Sequence, residues 1–413
     1  MKKIKIVSQL FYPELVSTGQ SMTQLAEALK ELDYSIEVIC GPPTLLGEKG
    51  KVEREINYEG IIIQRIFSTR LPKLSLWGKL INHITFSLSV FFNLIKDPKD
   101  SLILTITNPP FLPFICALAK LFGGPRFIVK IADVYPDTAV KLDVISPKGI
   151  IDLFWTSLNK LVFKKAEALI VLGRCMDHLI KEKVHKKYQD KVVHIPIWTD
   201  DKLIMERITS LNNSDSDYVK RWRLESKFVV LYSGNHGRFH DLKTIMKAAK
   251  KLNQIDQSIL FLFVGEGHAK KECVKFAEEN ILENCRFESY VPRSDQADIL
   301  NSCNLGLVSL DERMVGISVP SKTYAIMAAS RPVLAILPKT SEIALMVEET
   351  NCGRVIKNGD VDDLCSQIQT LKKDKALQET LGRNAHDAIK KKYSLKKAAE
   401  EYDKLISSLT EEK

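Results

Sequence analysis

Short apolar runs alternate with helix-length amphipathic stretches through both halves of the chain, and few architectures accommodate that rhythm. Ile4–Ser8 reads as a strand, Ser21–Leu32 as a helix with Met22, Leu25, Ala26 and Leu29 on one face, and Ser35–Cys40 as the next strand. Ile61–Phe67, Ser101–Thr107, Arg126–Ile131, Ala166–Leu172 and Val192–Pro196 continue the series, with helices at Leu112–Phe122 and 149–165. A polar stretch without periodicity follows at 210–217, and the pattern then restarts. Phe228–Ser233, Leu260–Val264, Arg286–Val291, Leu305–Ser309 and Val333–Leu337 read as strands, and helices near 361–371, 376–391 and 395–409 close the chain. Continuous apolar strands separated by helices build parallel sheets covered on both faces. The expected fold is α/β, with two Rossmann-like domains.

A chain of 413 residues has room for two cores. The net charge of +9 is uneven: residues 1–200 hold 27 Lys and Arg against 20 Asp and Glu, whereas 201–413 hold 33 against 31. A basic first half suits an anionic neighbour such as a membrane surface or a phosphorylated lipid, and equally an ordinary basic surface. The eight cysteines are scattered, with no Cys-x-x-Cys pair, and read as reduced, mostly buried thiols. Lys2-Lys3 leads straight into a strand rather than a signal-peptide core, so a cytoplasmic protein is expected.

Ligands of α/β sheets bind at loops beyond the carboxyl ends of the strands. Six such loops stand out. Gly316–Arg331 reads as a glycine-containing loop and a short helix. There Pro320 and Ser321 open the helix and Lys322 sits in its first turn, followed by Tyr324. A cation at that end opposes the helix dipole, which makes sense beside a bound anion such as a diphosphate. The plainer reading is a capped helix with a solvated lysine. Gly234-Asn235-His236-Gly237-Arg238-Phe239-His240 follows a strand, and its glycines allow close approach to phosphate, with Arg238 as the added cation. Gly265-Glu266-Gly267 closes the next strand, and Ser341-Glu342 starts a helix whose N–H groups either meet phosphate or are simply capped. In the first half, Gly19 permits close backbone approach at a helix start. Asp133, the first carboxylate after an apolar strand, suits an acid, base or hydroxyl-binding role, or caps the next turn.

Ser318-Val319-Pro320-Ser321-Lys322-x-Tyr324, running on to Met327-Ala328-Ala329-Ser330-Arg331-Pro332-Val333, resembles the donor-site segment of family 4 glycosyltransferases. The likeness is to the bacterial O-antigen, capsule and exopolysaccharide branch, including fucosamine-transferase-like enzymes, where glycine is usual at the position of Ser330. It extends over the chain: Tyr12-Pro13-Glu14 to Thr18-Gly19, Asn108-Pro109-Pro110, Asp133-Val134-Tyr135-Pro136-Asp137, Ile195-Pro196-Ile197-Trp198-Thr199-Asp200 and Gly265-Glu266-Gly267 all resemble segments of that branch. The resemblance implies the GT-B fold, with two Rossmann-like domains facing a central cleft. An acceptor-binding domain would span 1–200, with helix 395–409 packed back on it, and a nucleotide-sugar-binding domain 201–394. It implies metal-independent transfer of a hexosyl or N-acetylhexosaminyl group, with retention, from a nucleoside diphosphate sugar to a glycan or lipid-linked acceptor. Asp133, Arg238 and Lys322 would serve catalysis. Gly234, Asn235, Gly237, His240, Gly265, Gly267, Ser321, Tyr324, Ser341 and Glu342 would hold the donor, and Gly19 and Asp133 would face the acceptor. Cofactor, metal and nucleic acid are not expected.

Three departures from the family stand out. Asn235 and His240 fall where many members carry an arginine and a lysine, and Ala132 where many carry a histidine. The two glutamates of the broad family fall near Ile317 and on Ala325. The alternatives are therefore a catalytically inactive partner of the same fold, or a nucleotide-sugar epimerase.

Between Trp77 and Ile95, apolar residues recur at helical spacing with Asn82, His83, Thr85, Ser87 and Asn93 among them, too polar a mixture to span a bilayer. Two readings stand. One is a core helix with a broad apolar face. The other is a helix in the membrane interface, aided by Arg65, Arg70, Lys73 and Lys79, which would place the protein at the inner face of the membrane.

Overall fold

A computed structural model describes residues 2–14, 17–43, 53–71, 76–99, 101–210, 217–292 and 295–411. Lys73 and residues 211–216 of the polar stretch lie outside these. The chain forms two compact units, Met1–Pro196 with Ala398–Lys413, and Ile197–Lys397.

The first unit contains β1 (Lys2–Val7), β2 (Tyr34–Cys40), β3 (Glu55–Tyr58), β4 (Ile61–Arg65), β5 (Leu102–Ile106), β6 (Arg126–Lys130), β7 (Ala168–Val171) and β8 (Val192–His194). They make one sheet in the order β3-β4-β2-β1-β5-β6-β7-β8, parallel except for β3 against β4. Its helices are α1 (Ser17–Glu31), α2 (Leu76–Leu94), α3 (Leu112–Leu121), α4 (Asp137–Lys141), α5 (Ile150–Lys165) and α6 (Arg174–Lys183). The second unit contains β9 (Phe228–Ser233), β10 (Ile259–Val264), β11 (Cys285–Glu288), β12 (Leu305–Ser309), β13 (Val333–Ile336) and β14 (Gly353–Ile356), all parallel, in the order β11-β10-β9-β12-β13-β14. Its helices are α7 (Asp201–Ser210), α8 (Asp217–Arg221), α9 (Leu242–Ile255), α10 (Lys270–Glu279), α11 (Gln296–Asn301), α12 (Lys322–Ala328), α13 (Glu342–Thr350), α14 (Val361–Lys373) and α15 (Lys375–Ala388).

β5, β7, β10, β12 and β13 are buried at every position, which is why they read as unbroken apolar runs. β3 is half exposed at the sheet edge and carries no such run. In each sheet the strand order reverses beside the first strand, between β1 and β5 and between β9 and β12. The loops leaving those strands flank a crevice, the usual ligand position in an open α/β sheet.

The closing helix α16 (Leu395–Glu411) carries residues 398–411 onto the first unit. There Asp403 accepts hydrogen bonds from the Lys2 ammonium at 2.8 Å and the Tyr34 hydroxyl at 2.6 Å. The Lys2 hydrogen bond holds the Asp403 carboxyl below its ordinary range. An acid with a depressed folded pKa lends stability above its unfolded pKa and loses it as pH falls through the folded one. Asp403→Asn is therefore expected to cost about 1 kcal/mol at neutral pH and to flatten the acid limb of the urea-unfolding midpoint against pH.

Helix α2 has a buried and an exposed side. Phe86, Val90 and Leu94 enter the core, but so do Asn82 and Ser87. Asn82 is held by Leu71, accepting from its N–H and donating to its carbonyl, both at 3.0 Å. The outer side carries Trp77 (74% exposed), Leu80, Ile81, Ile84, Leu88 and Phe92 (58%) at helical spacing. The helix thus carries apolar residues on both sides, with two polar ones, Asn82 and Ser87, among those facing in.

Ser330 has φ of 55°, left-handed backbone that explains why glycine is usual at this position. Its carbonyl oxygen would lie 2.2 Å from a Cβ placed on Gly382.

Candidate functional site

The loop after β9 lies at the reversal point of the second sheet. Gly234 has φ of +118°, and a Cβ there would sit 3.5 Å from Cε of Lys322 and 3.7 Å from its Nζ. The next loop is pressed against it. Gly265, at φ +131°, has room for no Cβ, which would fall 2.1 Å from the Gly234 carbonyl oxygen. At Gly267 it would fall 2.4 Å from the carbonyl oxygen of His236. The two glycine loops thus form one backbone-on-backbone layer, further joined by the His236 N–H donating to the Glu266 carbonyl at 2.9 Å.

Lys322 reaches this layer as the first residue of α12. The residue as a whole is half-buried, but its ammonium is enclosed and has no hydrogen-bond partner among the described residues. It rests on the ring of Tyr232, with Nζ 3.5 Å from the centroid, a cation–π contact. Burial drives the Lys322 pKa well below its ordinary 10.5.

Two histidines adjoin it. His240 shares a hydrogen bond between Nδ1 and the Ser309 carbonyl at 2.7 Å, the nitrogen donating. Burial, and then the charge of Lys322, lower its pKa to about 3. His236 is fully buried, and burial followed by Lys322 lowers it to about 4. Both rings are neutral at physiological pH; His240 uses its one N–H on Ser309, so its Nε2 can only accept, and His236 keeps one N–H to donate. Tyr232 donates its hydroxyl to the Asn235 carbonyl at 3.2 Å. The Phe239 carbonyl accepts from the Asp311 N–H at 2.7 Å, tying this loop to the one that leaves β12.

Gly234, Asn235, Gly237, His240, Gly265, Gly267 and Lys322 therefore come together in one place. Arg238 is on the same loop but exposed. Ser321 is exposed at the N-cap of α12, while Tyr324 is fully buried with its ring against Tyr393, centroids 5.3 Å apart, which makes it a core residue rather than a ligand contact. The N–H groups of Thr323 and Tyr324 donate to the carbonyls of Pro320 and Ser321, and the helix has only seven residues. Ser341 and Glu342 open α13 after β13, and Ser341 caps it by accepting from the Ala344 N–H at 3.3 Å. Tyr232 and His236 escape sequence reading: one looks like a strand core residue, and the other is a lone histidine among glycines.

In the first unit, Gly19 follows β1 at the corresponding reversal point, whereas Asp133 lies on the loop after β6, the strand beyond β5. Gly19 lies in the first turn of α1, where a Cβ would fall 2.8 Å from Cβ of Glu14, so its close approach is to the preceding loop. Asp133 does not cap α4, whose N-cap position is Pro136. Its backbone is held by Thr107, whose hydroxyl donates to the Asp133 carbonyl at 3.1 Å. Asp133 lines an open recess together with Thr107, Pro110, Tyr135, Asn159 and Phe163. Lys130, at the end of β6, is buried, and burial brings its pKa down to about 7. Among the described residues no cluster of His, Cys, Asp and Glu is placed to hold a metal ion.

Residues 215–388 match the family model described as glycosyl transferases group 1. The chain is 28% identical over 354 residues to the probable glycosyltransferase WbjE of Pseudomonas aeruginosa, covering 86% of this chain and 85% of that one. It superimposes on Anabaena HepE, solved in complex with UDP and glucose, with a TM-score of 0.71 at 16% identity, covering 99% and 100% of the two chains. It also superimposes on WaaG, a glycosyltransferase involved in lipopolysaccharide biosynthesis, with a TM-score of 0.69 at 15% identity, covering 98% and 99%.

Proposed function

We propose, from the premise that this chain is a group 1 glycosyltransferase of GT-B fold with the family's domain at 215–388, that it moves a sugar from a nucleoside diphosphate donor to a glycan or lipid-linked acceptor in cell-surface polysaccharide synthesis. The likeness to WaaG, a glycosyltransferase involved in lipopolysaccharide biosynthesis, supports the pathway class. HepE, which binds UDP and glucose, supports the donor class. The observation that carries the reading is the ammonium of Lys322, enclosed and unpaired beside Gly234 at a sheet reversal point. A buried cation without an anion is costly, and a diphosphate supplies the missing partner.

On this reading the diphosphate lies along the glycine loops of the second unit. Lys322 pairs with it, and the N–H of neutral His236 adds a donor. Charge grows on the leaving diphosphate as the glycosidic bond breaks, and preorganised donors in a dry site stabilise that charge. Exposed Arg238 contributes a longer-range positive field. Asp133, in its recess in the first unit, receives the acceptor hydroxyl. Retention of configuration is what the family relationship implies. The apolar outer stripe of α2 supports peripheral contact of 77–95 with the inner face of the membrane, and no described helix is long and apolar enough to cross one.

A thermal-shift panel of nucleotide sugars is expected to give one donor that raises the unfolding temperature, because a ligand bound only by the folded state adds stability. The same donor should be the one consumed in a turnover assay. A panel with no stabilising donor and no sugar release or transfer would overturn the reading.

A further inference from the structure

Helix α5 has an exposed end that the donor and acceptor sites do not use. Ile150 (88% exposed), Ile151, Leu153 and Phe154 (61%) are open to solvent in its first turns, and Val144 just before them is also exposed. Further along, the exposed positions become Thr156, Ser157, Lys160 and Lys164. The helix thus has an apolar tip and a cationic rear, and residues 137–165 hold five lysines against three aspartates. That pairing complements one kind of surface, hydrocarbon lying beneath anionic headgroups.

Helix α3 packs against both α2 and α5, so the three form one layer on the first sheet. At the end of α3, Leu121 and Phe122 are exposed, and the Phe122 ring meets that of Phe91 on α2 edge-on, centroids 5.9 Å apart. Apolar surface therefore continues from α2 to the end of α3, and the exposed tip of α5 belongs to the same layer. The other side of α5 is a wall of the Asp133 recess. Trp155 stacks on Phe111 with centroids 4.2 Å apart and on Tyr135 at 5.4 Å, and Asn159 donates to the Tyr135 carbonyl at 2.6 Å.

We propose that α5 is a second membrane-contact element alongside α2, and that together they seat the first unit on an anionic bilayer with the Asp133 recess one helix width, about 10 Å, from the lipid. The acceptor this arrangement fits is lipid-linked, its chain remaining in the bilayer while its sugar enters the recess. The proposal rests on the transferase reading for the word acceptor, but the surface itself is tested without it.

The test is flotation of the full chain with phosphatidylcholine vesicles, with and without phosphatidylglycerol. The wild type should float with the anionic vesicles and weakly or not at all with the neutral ones. Ile150→Ser with Phe154→Ser should lower the bound fraction about tenfold, and Lys160→Glu with Lys164→Glu should remove the preference for anionic lipid. Ile255→Ser with Ile281→Ser, at exposed apolar positions of the second unit, should change nothing. Stabilisation by the donor from the nucleotide-sugar panel is expected to be the same in every variant, and its loss in all of them would count against the transferase reading, not this one. Wild type that does not float, or α5 variants that float as well as wild type, would overturn the proposal. So would a face that proves to hold a second copy, seen as a wild-type dimer that the Ile150 and Phe154 changes dissociate without altering flotation.

Discussion

Lys322→Met is expected to make the ligand-free protein more stable, by about 1–3 kcal/mol, while lowering turnover by about 10²–10³. The two effects share one cause. In the ligand-free site the ammonium has an aromatic ring and no anion, so the residue is held there at a cost in folding free energy. Methionine fills a similar volume without a polar group. The pH dependence identifies the group. Its folded pKa lies well below the ordinary 10.5, so between those values the unfolded chain binds a proton that the folded chain lacks. Stability contributed by this group therefore rises with pH across that window, and the slope should vanish in Lys322→Met. Urea unfolding of both proteins across that window measures the slope. A variant less stable than wild type and equally sloped would mean that the ammonium is already compensated in the folded protein.

Gly265→Ala is expected to cost about 2–5 kcal/mol and to abolish donor stabilisation in the same thermal-shift panel. The added methyl would meet a carbonyl oxygen, which cannot swing aside like the end of a side chain, and the backbone at φ +131° is strained for any L side chain. Gly237→Ala supplies the contrast. Its φ is not in the left-handed region, and the nearest atom is the Asn235 side-chain nitrogen at 3.2 Å, so a small rotation makes room. Stability close to wild type in Gly265→Ala, by urea unfolding, would show that the two loops are not pressed together as described.

Strands buried on both faces were legible from their unbroken apolar runs: β5, β10 and β12 fall within a residue of where the pattern puts them. β3 was not legible, because Glu55-Ile56-Asn57-Tyr58 is an edge strand with two exposed positions and a single aliphatic residue. Nor was the early start of α1 at Ser17, ahead of the apolar stripe that begins at Met22. At the site, spacing located the glycine loops and Lys322, but it could not say that the lysine ammonium would be buried on Tyr232. That depends on three segments distant in sequence arriving at one reversal point of the sheet. Tyr324 shows the opposite error, since helical spacing cannot tell which side of a short helix meets the core. Helix α2 has apolar residues numerous enough for two faces, and spacing could not say which of them, Phe86, Val90 and Leu94, would enter the core.

The most direct measurement is a calorimetric titration of wild type and Lys322→Met with a panel of nucleoside diphosphates, each in two buffers of different ionisation enthalpy. One diphosphate should bind wild type, and its affinity should fall at least tenfold in the variant, with any proton uptake that Lys322 contributes lost as well. Equal affinity in the two proteins, or identical proton exchange in both, would contradict a diphosphate seated on Lys322.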